Sequence, residues 1–238
     1  MQEVSSHSPH RSRRPTISVV VPAFNEAIGL KLFHRRLVEA LAGVESWEVI
    51  YVNDGSTDAT LPVIEALRGA GDHVAVVSLS RNFGKETAIT AGLDHAAGDA
   101  VVVIDADLQD PPELIPELMA CWRAGFDMVY AKRRSRTGDT WLKRGTAKAF
   151  YRLMQRMGDL KLPENTGDFR LMSRRVVDAV RQLREQHRFM KGLFAWVGYP
   201  TTFVCTTANP GAPAPASGLT GSCGTSHWRG SPALPSCL

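Results

Sequence analysis

The chain has little cysteine, no long apolar run and no signal-peptide core. Only four of its 238 residues are cysteines. Cys121 stands alone in a helical pattern, and Cys205, Cys223 and Cys237 show no metal-ligand or disulfide spacing. That excludes a disulfide framework and a zinc module, and a reducing, cytosolic compartment is expected. No stretch approaches the ~18 consecutive apolar residues of a transmembrane helix. The opening MQEVSSHSPHRSRRP lacks the apolar centre of a secretory signal, and residues 1–15 read as a disordered basic leader. RNA-binding aromatic signatures are also missing. The formal net charge of +4 therefore points to phosphates or an acidic membrane face, and no nucleic-acid partner is expected.

What is present is an ordinary globular composition, 44% apolar and 22% charged, enough to bury a core. Short β-branched runs at 16–24, 47–54, 73–80 and 99–107, and the segment DMVYAKR, alternate with helical patterns. In the first helix Leu30, Phe33, Leu37 and Leu41 fall on one face, with Asn25 placed to cap it. The second helix follows a Ser/Thr/Asp cap, and the third covers 85–97. Strand–helix alternation with short connections predicts an α/β fold with a mostly parallel sheet flanked by helices. Ligands of such sheets bind beyond the carboxyl ends of the strands. The polar clusters PAFNE, VNDGSTD, SRNFGKE, DADLQD and AKRRSR all lie there.

The fourth strand is the greasiest, and it ends in Asp105, Asp107 and Asp110. Positions i and i+2 of an extended chain share a side, so Asp105 and Asp107 would repel unless a cation joins them. Oxygen ligands suit Mg²⁺ or Mn²⁺, and Gln109 adds a neutral carbonyl. Asp54 has two readings, a turn cap or an acceptor for a base or ribose, and Glu26 shares that ambiguity. Asp58 reads as a helix cap. Arg133, Arg134 and Arg170 are candidate phosphate partners, although much of the basic run 133–148 reads as a solvated face. Helical patterns are expected around 141–157 and 174–186. The stretch HRFMKGLFAWVGYP suits either core packing or a membrane surface.

Taken together, SVVVPAFNE, VNDGSTD, LSRNFGKE, DADLQDPPELIPEL and TGDFRLMSRRV resemble the family 2 inverting glycosyltransferases. The resemblance is closest to the polyprenyl-phosphate branch, which includes dolichol-phosphate mannose synthases and bacterial undecaprenyl-phosphate glycosyltransferases, and it spans roughly 16–204. It implies a GT-A type nucleotide-sugar-binding fold over 16–204, a nucleotide-sugar donor of the UDP-glucose or GDP-mannose type, and a polyprenyl phosphate acceptor at the cytoplasmic face of a membrane. By resemblance Pro22, Phe24, Glu26 and Asp54 hold the nucleoside. Asp105, Asp107 and Gln109 hold metal and diphosphate, and Arg133 meets the donor phosphates. Asp168 stands where the family places a base or sugar-binding acid, and Arg170 is set to meet phosphate. Asp107, Asp168 and Arg170 are the catalytic candidates. Two rivals stand beside this reading. A sugar nucleotidyltransferase would carry a glycine-rich loop with Arg and Lys near its first strand, and PAFNEAIGL has none. A nucleotide-binding remnant would bind without turnover. Oligomeric state is not legible.

After Val204 the texture changes to a tail rich in Ala, Pro, Gly and Ser, irregular in pattern. Relatives of the family continue here into a basic segment and membrane helices. Read with the codon frame displaced by one base, the segment from Cys205 permits Tyr-Asp-Arg-Glu-Pro-Arg-Arg-Ala-Gly-Thr-Ser-Lys-Trp, a family-like stretch. The expectation is that 205–238 is a frameshifted translation that lacks the family's membrane helices. Resequencing the gene across the codons for residues 198–206 is expected to show the displacement; an intact frame refutes it.

Overall fold

The computed structural model describes residues 16–71, 73–133, 166–183, 194 and 197–206. The leader, the patterns around 141–157 and the tail beyond 206 lie outside them. Strands β1 (Ile17–Ala23), β2 (Trp47–Asn53), β3 (Val74–Ser78), β4 (Ala100–Val103), β5 (Met128–Arg133), β6 (Thr166–Ser173) and β7 (Thr201–Thr206) alternate with five helices. These are α1 (Leu30–Ala40), α2 (Thr60–Ala70), α3 (Lys85–His95), α4 (Ile115–Arg123) and α5 (Arg174–Gln182). The strands form one seven-stranded sheet in the order β3-β2-β1-β4-β6-β5-β7. All described pairings are parallel except those of β6, which runs antiparallel to both β4 and β5.

The period of two divides the core. Val19, Val21, Val49, Tyr51, Val102 and Leu171 face α1, α2 and α4. Val20, Ile50, Val52, Val101, Val103 and Met172 face α3 and α5. The central strands are buried on both sides, as continuous Val/Ile runs require. Leu30, Phe33, Leu37 and Leu41 are fully buried, as their spacing predicts, each stabilising the fold by roughly 1.5–3 kcal/mol.

Two expectations need correction. Asn25 does not cap α1. Its φ is +58°, its N–H donates to Ser56 Oγ, and its Oδ1 accepts the Thr57 N–H, so it ties the β1–α1 loop to the β2–α2 loop. The fourth strand stops at Val103 and does not carry through to Asp107. Ladder pairing ends at Val103, and farther on Asp107 Oδ1 accepts the Gln109 N–H at 2.9 Å while Leu108 takes φ +60°, a local side-chain turn. β6 and β7 carry no period-2 signal strong enough to read. β6 is a strand bearing Asp168 and Arg170, and β7 (Thr201–Thr206) is an edge strand of the sheet.

The amino-terminal edge of the sheet is closed by a buried polar clamp. Ser18 Oγ donates to Glu48 Oε1 at 2.7 Å, and the Ala97 N–H donates to the same oxygen at 2.9 Å. The Gly98 N–H donates to Ser18 Oγ at 2.7 Å. Gly98 is required by proximity: a Cβ there would lie 2.6 Å from Ser18 N and 2.8 Å from Ile17 C, both main-chain atoms of a central strand. Gly98→Ala is expected to lower stability by about 1–3 kcal/mol, read as a reduced urea midpoint at unchanged m-value.

Candidate functional site

The carboxyl edge of the sheet is built from the loops after β1, β2, β3 and β4 and from the start of β6. Antiparallel register makes the key juxtaposition. Val103 of β4 pairs with Arg170 of β6, so continuing two residues along each chain brings Asp105 opposite Asp168. Both continue the face on which Val101, Val103 and Met172 pack toward α3 and α5. Lys85, the first residue of α3, reaches that spot. Its Nζ lies 2.6 Å from Asp105 Oδ2 and 2.6 Å from Asp168 Oδ2.

Lys85 is itself delivered by Asp54. This carboxylate is 3% exposed. Its Oδ1 accepts the Phe83 N–H at 2.8 Å and its Oδ2 accepts the Gly84 N–H at 2.9 Å. Gly84 turns the chain into α3 with φ +94°. Beneath it, Gly55 has φ +66°, and a Cβ would stand 2.3 Å from the Arg81 carbonyl carbon, so only glycine lets the β2 turn nest under the 81–84 loop. Asp54 thus organises the loop that launches α3, a role the sequence did not show, and each of its oxygens keeps a second lone pair. Asp58 does act near the helix start. Its Oδ1 accepts the Thr60 N–H at 2.9 Å and the Thr60 hydroxyl at 2.5 Å, which lowers its pKa.

The charge at this edge is unbalanced. Burial raises the Asp105 pKa, Lys85 works against that, and the neighbouring Asp168 and Asp107 charges add to it. Burial also raises Glu26, followed by the charges of Asp107, Asp105 and Asp58. Lys85 moves up as well: burial pulls it down, but hydrogen bonds to Asp105 and Asp168 and their charges prevail. A simple ion pair would raise the lysine and lower the aspartate. Here both rise: burial lifts Asp105 more than Lys85 lowers it, and the Asp168 and Asp107 charges add to the lift.

The other predicted residues fall as follows. Asp107 and Gln109 are exposed and Asp105 is half-buried. Among the described residues no group of three His, Cys, Asp or Glu side chains is gathered for a metal ion. Asp105 and Asp107 lie beyond the β4 ladder; Asp105 still continues its face to meet Lys85, whereas Asp107 turns back onto the Gln109 N–H. Asp110 is buried at 6% and takes no place in the open cluster. Glu26 is half-buried with its N–H donating to Thr60 Oγ1 at 2.8 Å. Pro22 is half-buried, and Phe24 is exposed at the same rim. Arg133 ends β5, and its side chain lies outside the described residues, as does Arg134.

Arg170 is 2% exposed and does not meet solvent as a phosphate partner would. Its guanidinium packs 4.5 Å from the Phe194 ring centroid and 5.1 Å from that of Tyr130. Its Nε donates to the Asp168 carbonyl at 3.0 Å, and its Nη2 donates to the Gly167 carbonyl at 3.2 Å and Asp168 Oδ1 at 3.3 Å. Burial lowers its pKa, opposed by Tyr130, Asp168 and Glu86. The geometry makes it the holder of Asp168. Sequence reasoning overlooked Lys85, although it stood in the quoted cluster SRNFGKE, and overlooked the Arg81 guanidinium 4.3 Å above the half-exposed Phe83 ring.

Comparison with known proteins agrees with this architecture. The family described as Glycosyl transferase family 2 matches residues 18–181. An uncharacterized glycosyltransferase of Synechocystis sp. is 54% identical over 195 residues, 82% of this chain and 61% of the relative. A prophage bactoprenol glucosyl transferase homolog of Escherichia coli and a bactoprenol glucosyl transferase of Shigella phage SfV are each 50% identical, over 79% of this chain and 62% of theirs. The chain thus spans about three-fifths of the length of these curated relatives. Among solved structures, a mannosyltransferase from Pyrobaculum calidifontis in complex with GDP-Man and Mn²⁺ superposes with TM-score 0.59 at 21% identity, covering 82% of this chain and 56% of that one. A glucosyl-3-phosphoglycerate synthase from Mycobacterium tuberculosis, with Mn²⁺, UDP and phosphoglyceric acid, gives TM-score 0.51 at 25% identity over 69% and 58%. The fold is of the GT-A type.

Asp54→Asn places an amide NH₂ against one of two N–H donors. It is expected to cost about 1–3 kcal/mol and to speed hydrogen exchange at the Phe83 and Gly84 amides more than elsewhere. Unchanged protection at those two amides would reject the organising role.

Proposed function

The chain belongs to glycosyl transferase family 2, and on that premise we propose that it transfers a hexose from a nucleotide-sugar to a polyprenyl phosphate, with inversion at the anomeric carbon. The observation that carries this reading is the acidic edge at the carboxyl ends of the parallel strands: Asp105 and Asp168 share one ammonium, and the Asp107 charge acts on Asp105 beside them. Relatives named as bactoprenol glucosyl transferases favour glucose as the sugar and a lipid phosphate as the acceptor. Such an acceptor puts the reaction at a membrane surface, on its cytoplasmic side. No helix among the described residues is long and apolar enough to cross a membrane.

The charge deficit suits a divalent cation, Mg²⁺ or Mn²⁺, and the solved neighbours named above contain Mn²⁺. Asp107, Asp105 and Gln109 would hold it. When bound, such an ion offsets negative charge on a departing diphosphate. The chain's own residues do the rest. Phe24, Pro22 and Glu26 border the nucleoside side of the edge, and Arg133 lies at the end of β5 toward the phosphates. A lipid phosphate monoester has a second pKa of about 6, so it is mostly a dianion at neutral pH and needs no base. Its oxygen attacks the anomeric carbon in line, and the bond to the nucleoside diphosphate breaks with its electron pair. Asp168 is paired with Lys85 and held by Arg170, a state suited to orienting sugar hydroxyls and poorly suited to taking a proton.

The test is release of nucleoside diphosphate and formation of glycosyl polyprenyl phosphate from UDP-glucose, or GDP-mannose in parallel, with Mn²⁺ and a short polyprenyl phosphate. Asp107→Ala is expected to abolish transfer, and Asp168→Asn to weaken it without loss. Complete loss with Asp168→Asn would restore the base reading. Calorimetric binding of UDP without turnover by the intact chain would mark a nucleotide-binding remnant.

A further inference from the structure

Lys85 sits where electrostatics within its own helix disfavour it. A lysine in the first turn faces the positive end of the helix dipole, and this one stays there with a side chain still 40% exposed. The two contacts that hold it come from separate parts of the chain, Asp105 after β4 and Asp168 on β6, each at 2.6 Å. Its approach is imposed from below: Asp54 fixes the Phe83 and Gly84 amides immediately before it, and Gly55 lets that loop sit close. Four elements thus cooperate to put one positive charge between two carboxylates.

We propose that Lys85 is the resident counter-ion of the acidic edge, occupying the space between Asp105 and Asp168 until a divalent cation and a diphosphate arrive together. The inference rests on the reading given under Proposed function and adds a positioning residue to it. An ammonium on a four-carbon stem is a mobile point charge. While it bridges the two carboxylates it offsets their mutual repulsion and competes with a metal ion for Asp105. A diphosphate brings its own negative charge, to which the ammonium can turn as the ion enters. The cation alone is therefore bound weakly and the pair strongly, and by linkage the nucleotide gains the same factor from the cation.

Mn²⁺ affinity of the full chain without nucleotide, measured by calorimetry and by loss of the free-ion paramagnetic resonance signal, tests this. Lys85→Gln is expected to bind Mn²⁺ about tenfold or more tightly than the parent, and Lys85→Arg, which keeps the charge, close to the parent. Tightening by UDP is expected to shrink in Lys85→Gln. Lys85→Met, read in the same way, serves if the glutamine variant fails to fold. Equal or weaker Mn²⁺ binding in the charge-removed variants, or none in any protein, overturns the inference. A merely structural lysine would lower affinity when removed, the opposite sign. Parent sugar transfer is assayed alongside: transfer with equal Mn²⁺ affinities sinks the counter-ion role alone, whereas tighter Mn²⁺ binding without transfer leaves that role standing and removes the transferase reading.

Discussion

One ammonium among several carboxylates is the constraint around which the carboxyl edge is arranged. Charge of one sign is gathered where the sheet ends, and the fold does not neutralise it fully. Burial first, and then the Asp168 and Asp107 charges, raise the Asp105 pKa against the pull of Lys85. A protein built only for stability would mix the signs. The shortfall is tolerable because the edge is half-open to water and because the strands that carry it are locked into a core on both faces.

Each side chain at the edge is held by a group with a different task. Asp54 spends its charge on two backbone amides and so sets the loop that carries Lys85. Arg170 spends its charge on backbone carbonyls around Asp168 and is shielded by Phe194 and Tyr130. Neither needs to touch a ligand to matter, and both looked from the sequence like ligand-binding residues. Buried charges are retained where they are hydrogen-bonded throughout, and Arg170 departs from that only at Nη1, which has no hydrogen-bond partner among the described residues.

The parallel half of the fold was legible because its signals are local. Valine-rich runs, the Leu30–Phe33–Leu37–Leu41 stripe and the polar strand ends can be read within a few residues of themselves. β6 was not legible, since TGDFRLMS mixes charge with apolar residues and its partner strand β4 lies far away in sequence. Asp168 was therefore noticed by resemblance and not by position, and its meeting with Asp105 follows only once β6 is inserted between β4 and β5. Lys85 was passed over for the same reason: both of its partners are distant. Asp107 and Gln109 were assigned through a strand geometry that ends earlier than expected, at Val103, and they lie in a side-chain turn beyond it.

The two rims of the sheet carry opposite burdens. At the amino-terminal rim, Ser18, Glu48, Ala97 and Gly98 share hydrogen bonds around a single carboxylate, and Arg174 adds its own to the Gly98 carbonyl. That clamp fastens β1 and β2 from below, so the loops at the upper rim are free of the duty of holding the strands together. The two rims are thereby separable: a substitution in the upper loops leaves the lower fastening of β1 and β2 in place.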